Sequence, residues 1–184
     1  YNRVKLIVAI SGASGAHLGI KLANSANSLG VDTSLIITQN ATLSMQKENL
    51  SQKIDSKIQI YDINDISAAP ASGSAMFDAM IVAPCSINTL AKISCGISDN
   101  LLLRAAAVML KERKNLVLAV RETPLNAISL RQMAELASIG VGIVPPILGY
   151  YTQPSSIDEA ENFIIAKWLD SLKIKHNLIR RWNG

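Results

Sequence analysis

The chain has 184 residues, of which 49% are hydrophobic, 17% charged and 4% aromatic, with a formal net charge of +4. This is enough for a single domain with a real core, and it excludes a disordered chain. It also excludes a membrane-spanning protein, because no apolar run approaches the roughly 20 residues needed.

In chain order, the first element is the continuous apolar run from Val4 to Ile10, which ends in the glycine loop SGASG. The opening YNRVKLIVAI superficially resembles a signal peptide, but its apolar part is too short, so a buried first strand is expected. A helix-compatible stretch follows from Ala16 to Leu29 and ends at Gly30. Thr33 to Thr38 is a second β-branched run, followed by a polar segment through Glu48. Further strands are expected at Ile58 to Tyr61, Ala79 to Ala83, Leu116 to Val120 and Val141 to Val144. Helical patterns occupy Ser86 to Ser94, Leu101 to Arg113, Asn126 to Ser138 and Ile157 to Leu172. Continuous apolar strands alternating with helices predict a doubly wound α/β fold with a parallel sheet. The small-residue stretch Ser67 to Phe77 is too short to divide the chain, so residues 1–184 read as one domain.

Few aromatic residues leave few stacking platforms for nucleic acid, so the positive balance suits an anionic small molecule better. Cys85 and Cys95 stand without a second CxxC-like pair, and His17 and His176 have no partner at metal-ligand spacing. Neither a disulfide framework nor a structural metal site is expected. Low charge with abundant Ala, Ile and Leu points to apolar surface buried between subunits. The expected setting is a soluble, cytoplasmic protein.

Ligands of such sheets bind beyond the carboxyl ends of the strands, and the polar clusters of this sequence fall there. SGASG (Ser11 to Gly15) opens a helix, so its N–H groups suit an anion, while Ser14 either faces the ligand or caps the helix. It lacks the first glycine pair of the dinucleotide fingerprint. PCSINT offers a second helix start, in which the strand ends at Pro84 and Ser86 and Thr89 share one side of the following helix. Cys85 reads as a small buried hydrophobe rather than a nucleophile. Arg104 and Lys111 lie about two turns apart on one helical face, either as a solvated stripe or converging with Arg121 on a phosphate. Arg121 and Glu122 emerge at the end of the fifth strand. The loop PPILGYYTQP presents Tyr150 and Tyr151, and the next helix carries Lys167 among apolar sequence neighbours. Met76, Phe77 and Met80 read as core or as an apolar wall, and Asp99 and Asn100 as a helix cap or subunit contact.

ISGASGA, SGS (Ser72 to Ser74), PCSINTLAKI, GISDNLLLRAA, LKER, RETPL and PP…YYTQP, in this order, resemble the UbiX-type flavin prenyltransferases. The resemblance runs from about residue 6 to 172, leaving 173–184 as a tail. It implies a three-layer, Rossmann-like (flavodoxin-like) sheet. It also implies a metal-independent transferase that joins the dimethylallyl group of dimethylallyl monophosphate to N5 and C6 of reduced FMN. The product, prenylated FMN, would serve a separate UbiD-type decarboxylase, and the assembly would be a homododecamer with flavin between subunits. By motif, Gly12, Ala13, Ser14, Thr38, Ser86, Ile87, Asn88, Thr89 and Arg121 would bind FMN. Ser14, Glu48 and Glu122 match the family's catalytic positions, Ser14 near N5. Tyr151 and Lys167 match positions that hold the prenyl phosphate, and Arg104 and Lys111 match basic positions reaching that pocket from a neighbouring subunit. Departures are Thr38 where a Ser is common, Lys167 where Arg is common, and Thr152 and Gln153 in place of a His-any-basic pattern. Two other readings carry other expectations. An FMN-dependent decarboxylase of the phosphopantothenoylcysteine kind needs a site histidine and a cysteine-bearing flap with no match here. A non-catalytic flavin-binding protein leaves the extra cations unexplained.

Overall fold

A computed structural model describes residues 3–181; the two N-terminal residues and Trp182, Asn183 and Gly184, at the end of the basic tail, lie outside the described residues. Among these residues there are six strands: β1 (Lys5–Ile10), β2 (Asp32–Ile37), β3 (Gln59–Tyr61), β4 (Ala79–Cys85), β5 (Asn115–Val120) and β6 (Gly142–Ile143). All pair in parallel in the order β3-β2-β1-β4-β5-β6. β1 and β4 are buried on both faces almost throughout, which is why their sequences show no alternation.

Six α-helices cover the sheet: α1 (His17–Ser28), α2 (Gln39–Glu48), α3 (Ile87–Ser94), α4 (Leu101–Lys111), α5 (Ala127–Ser138) and α6 (Ile157–Ser171). One apolar cluster joins α1, α2 and α6 to the sheet and includes the fully buried Trp168, whose indole N–H donates to the Val144 carbonyl at 2.9 Å. The other cluster joins α3, α4 and α5 to the opposite face. The result is the expected three-layer, Rossmann-like arrangement. The chain leaves β1 toward β2 on one side, and β4 pairs on the other, so the strand order reverses between β1 and β4. A ligand crevice belongs at that reversal.

Two expectations change. The polar segment after the second strand is a helix, α2, with only Ala41 fully buried, so it shows almost no apolar stripe to read. Strand β4 does not stop at Pro84 but continues to Cys85. Pro84 has no N–H for the ladder, so pairing with β5 shifts register between Val82 and Cys85 and resumes at Cys85 and Val120. The Ala83–Pro84 peptide is cis. Ser11 closes the irregularity from the neighbouring strand. Its backbone N–H and its hydroxyl both donate to the Pro84 carbonyl, at 3.2 and 3.0 Å, and its hydroxyl oxygen accepts the Ser86 N–H at 2.7 Å.

Helix α1 crosses the same strands closely at Gly19. A Cβ there would lie about 2.6 Å from Ile10 Cγ1 and would collide with the Ala83 carbonyl oxygen. In an ordinary helix interior Gly→Ala gains about 1 kcal/mol. Here Gly19→Ala is expected to cost about 1–3 kcal/mol through overpacking, lowering Tm by several degrees in a thermal unfolding scan.

Candidate functional site

The loops at the carboxyl ends of β1, β2, β4 and β5 bring the first group of expected residues to one edge of the sheet. Loop 11–16 opens α1 without a side-chain cap, so Ser14 is not the helix cap. The Ser14 hydroxyl instead stands beside the Glu48 carboxylate at the end of α2, near enough to favour its charged form, and Glu48 Oε2 accepts the Gly15 N–H at 3.1 Å. The Ser14 hydroxyl above all holds the Glu48 carboxyl below its ordinary range, opposed by partial burial and aided by the Gly15 N–H and the charges of His17 and Arg121. Glu48, Ser14, His17 and Arg121 therefore belong to one electrostatic group. Gly12 and Ala13 lie between the strand end and α2, where a Cβ on Gly12 would press into Asn40.

Thr38 caps α2 by accepting the Ala41 N–H at 3.1 Å. Ser86 caps α3 by accepting the Thr89 N–H at 3.2 Å, and it donates its own proton to Thr89 Oγ1 at 3.0 Å. The plain capping role is thus real, and it also frees something: the Thr89 hydroxyl keeps its proton for another acceptor. The N–H groups of Ile87 and Asn88 belong to the first turn, which a helix cannot pair internally. Arg121 is tied to the same place, because its N–H donates to the Cys85 carbonyl at 3.0 Å. First-turn donors, a hydroxyl and a guanidinium at a strand-order reversal fit the phosphate of a mononucleotide such as FMN. Glu122 is exposed and folds back to accept the Thr123 N–H at 2.9 Å. Cys85 is fully buried, and burial pushes its thiol well above the usual range, in keeping with a packing role.

The second group lies elsewhere on the chain. On α4, Arg104 and Lys111 are exposed on a helix that is otherwise almost wholly buried. The Arg104 Nε–H donates to the Ala71 carbonyl at 3.2 Å, and Lys111 pairs with Glu112, whose side chain lies against Gly73. Both cations thus stand beside the SGS loop, and no contact among the described residues of one chain joins them to Ser14, Glu48 or Arg121. Tyr151 sits in a 3-10 turn with its ring edge-to-face on Phe163 at 5.6 Å, yet it is 65% exposed, so it packs and faces outward at once. It lines a groove of about 500 Å³ with Gln153, Asn162, Arg180 and Arg181. Asp170 ties the tail down beside that groove, accepting from Arg181 at 2.8 and 3.2 Å and meeting His176 at 3.1 Å. Lys167 is exposed on α6 and is not among the lining residues.

The remaining expectations divide. Phe77 and Met80 are core, whereas Met76 adopts a left-handed conformation and is 62% exposed. Asn100 caps α4 through the Leu103 N–H, and Asp99 pairs with Lys92 at 2.7 Å. His17, which has no partner at metal-ligand spacing, meets Glu161 on α6 at 2.6 Å. That partner is far away in sequence and visible only once α1 packs on α6. No helix among the described residues is long and apolar enough to cross a membrane.

A depressed carboxyl pKa contributes stability above the unfolded value, and the contribution is lost as pH falls through the folded value. Ser14→Ala removes the main cause, so Glu48 should titrate higher. The variant should unfold earlier than wild type at about pH 7, and the difference should shrink as pH falls through the lowered folded value of Glu48. Urea unfolding midpoints across that range check it.

Comparison with known proteins agrees with this geometry. The model of the Flavoprotein family matches residues 1–169. Flavin prenyltransferase UbiX of Campylobacter jejuni subsp. jejuni serotype O:2 is 42% identical over 187 residues, covering 98% of this chain and 100% of that protein. The crystal structure of AnUbiX (PadA1) in complex with FMN and dimethylallyl pyrophosphate superposes with a TM-score of 0.94 at 39% identity, covering 100% of this chain and 99% of that one. A dodecameric FMN-dependent Ubix-like decarboxylase from Escherichia coli O157:H7 superposes with a TM-score of 0.92 at 37% identity, covering 98% of this chain and 100% of that one. Matched over almost its whole length in sequence and superposed over it in fold, the chain belongs to the Flavoprotein family and, within it, to the UbiX flavin prenyltransferases.

Proposed function

We propose that this protein transfers the dimethylallyl group of dimethylallyl monophosphate to N5 and C6 of reduced FMN, and that the prenylated FMN is passed to a UbiD-type decarboxylase. The observation that carries this reading is the Ser14–Glu48 pair, set beside Arg121 and the start of α3 in a chain similar over its full length to UbiX enzymes. Reduced FMN supplies the nucleophilic atoms and an electron-rich ring face.

The chain supplies the rest. Gly12, Ala13, Thr38, Ser86, Ile87, Asn88, Thr89 and Arg121 hold FMN at the edge of the sheet, with its phosphate on the first-turn donors of α3. Ser14 stands near N5, oriented by Glu48. Arg104, Lys111, Tyr151 and Lys167 bind the prenyl phosphate. As that C–O bond breaks, the phosphate leaves with the electron pair, and cations with hydrogen-bond donors stabilise it. Lys167 acts as a point charge rather than a bidentate fork. Arg104 and Lys111 come from a neighbouring subunit of a homo-oligomer, a dodecamer as in the Escherichia coli relative. This explains why one chain does not gather all the cations. Glu122 accepts the proton released on ring closure, after turning away from its own loop. Two free cysteines, with Cys95 exposed, suit a reducing compartment such as the cytoplasm.

The test is anaerobic incubation with reduced FMN and either dimethylallyl monophosphate or pyrophosphate, followed by mass spectrometry of the flavin. A gain of one C5H8 unit is expected with the monophosphate; bound FMN without any adduct would favour a storage protein. Glu122→Gln should retain FMN binding, measured by fluorescence, and lose formation of the fourth ring. Unchanged product in that variant would remove Glu122 from its role.

A further inference from the structure

The chain does not fray after α6. Ile174 is buried, Leu178 packs on the core cluster of α1, α2 and α6, and the His176 side chain is fully buried between them. Both ring nitrogens of His176 are used. Nδ1 accepts the Leu178 N–H at 3.3 Å, so Nε2 carries the proton and donates to Asp170 Oδ1 at 3.1 Å. Arg181 closes the strap with two bonds to the same carboxylate, at 2.8 and 3.2 Å. A tail so fastened serves some purpose beyond ending α6.

Its last turn lines the groove of about 500 Å³ that Tyr151 also lines. The charged side chains of that groove are Glu159, Arg180 and Arg181. Two of them are committed. Glu159 accepts the N–H and the hydroxyl of Ser155 at 2.7 and 2.9 Å at the start of α6, and Arg181 is matched by Asp170. Arg180 is exposed, and its guanidinium has no ion pair or hydrogen bond among the described residues. The turn opposite brings no cation of its own, since Thr152 and Gln153 follow Tyr151. Tyr151 packs on Phe163, and Lys167 lies one turn further along the same side of α6.

We propose that the tail completes the prenyl-phosphate site, with Arg180 as a further ligand of the donor's phosphate in the groove beside Tyr151. Asp170, His176 and Arg181 form the anchor that holds Arg180 there. A guanidinium offers a phosphate a planar fork of donors, which neither the phenol of Tyr151 nor the point charge of Lys167 can supply. The tail thus restores the charge that the turn after Tyr151 lacks. The inference rests on the reading of Tyr151 as a ligand of the prenyl phosphate.

The test is titration calorimetry of the full chain loaded with oxidised FMN, which binds the donor without reacting. Dimethylallyl monophosphate and inorganic phosphate are titrated separately into wild type, Arg180→Gln and Arg180→Lys. Arg180→Gln should weaken both by about fivefold, the order of one partly screened charge pair, with FMN fluorescence titrations unchanged. Arg180→Lys should recover part of the loss. With reduced FMN, KM for the donor should rise by a similar factor and KM for FMN should not move. Asp170→Asn, which loosens the anchor with Arg180 in place, should weaken the donor as well. Unchanged donor affinity in Arg180→Gln would overturn the proposal, whatever Asp170→Asn does. A loss for inorganic phosphate alone would also overturn it, by placing the anion site away from the donor. If wild type binds the donor through Arg180 yet forms no prenyl adduct, the transfer reading fails and the phosphate site stands.

Discussion

The hydroxyl of Ser11 decides the shape of the site. Two strands part company at the centre of the sheet, and the polar edge between them would gape where Pro84 interrupts the ladder. Ser11 is 1% exposed and spends its N–H, its proton and its lone pair there, on Pro84 and Ser86. One side chain thereby fixes the distance between the loop that opens α1 and the loop that opens α3. Both helix starts aim their unpaired N–H groups from frames that Ser11 has set. A buried hydrogen-bonded hydroxyl of this kind costs about 1–3 kcal/mol when its partners are left unpaired.

Much of the fold is legible in the residues because the strands are continuous apolar runs and the helices between them have clear ends. β1 and β4 are buried along almost their whole length, and Ser86, Asn100, Asn126 and Ser156 each cap the helix that follows. What stays hidden is whatever lacks periodicity or depends on distant contacts. α2 has one fully buried residue, so its helix leaves no stripe to recognise. Pro84 reads as a stop, and only the strand beside it shows why the chain can continue.

The site divides in the same way. The loops carrying Ser14, Thr38, Ser86 and Arg121 are legible because the strand ends place them, whatever their individual roles. Glu48 has weak sequence surroundings, yet its contact with Gly15 brings it to the same edge. Arg104 and Lys111 show the reverse: their helical spacing is correct, but one chain turns them toward the SGS loop. Their proposed partners belong to the assembly, which no local pattern encodes. His17 carried no signal at all, since its meaning comes from Glu161, on a helix at the other end of the chain.

The sparse anchoring of α2 has a consequence for how the molecule breathes. A helix held mainly by Ala41, an N-cap and the contact from Glu48 to the first loop has far less buried area than its neighbours. Local opening free energy follows buried contacts, so α2 can fray while the sheet stays intact. The acid of the site is therefore mounted on one of the most loosely held helices of the fold. Any ligand that bridges Thr38 and the first loop would gain part of its affinity by freezing that motion, so occupancy and local order rise together.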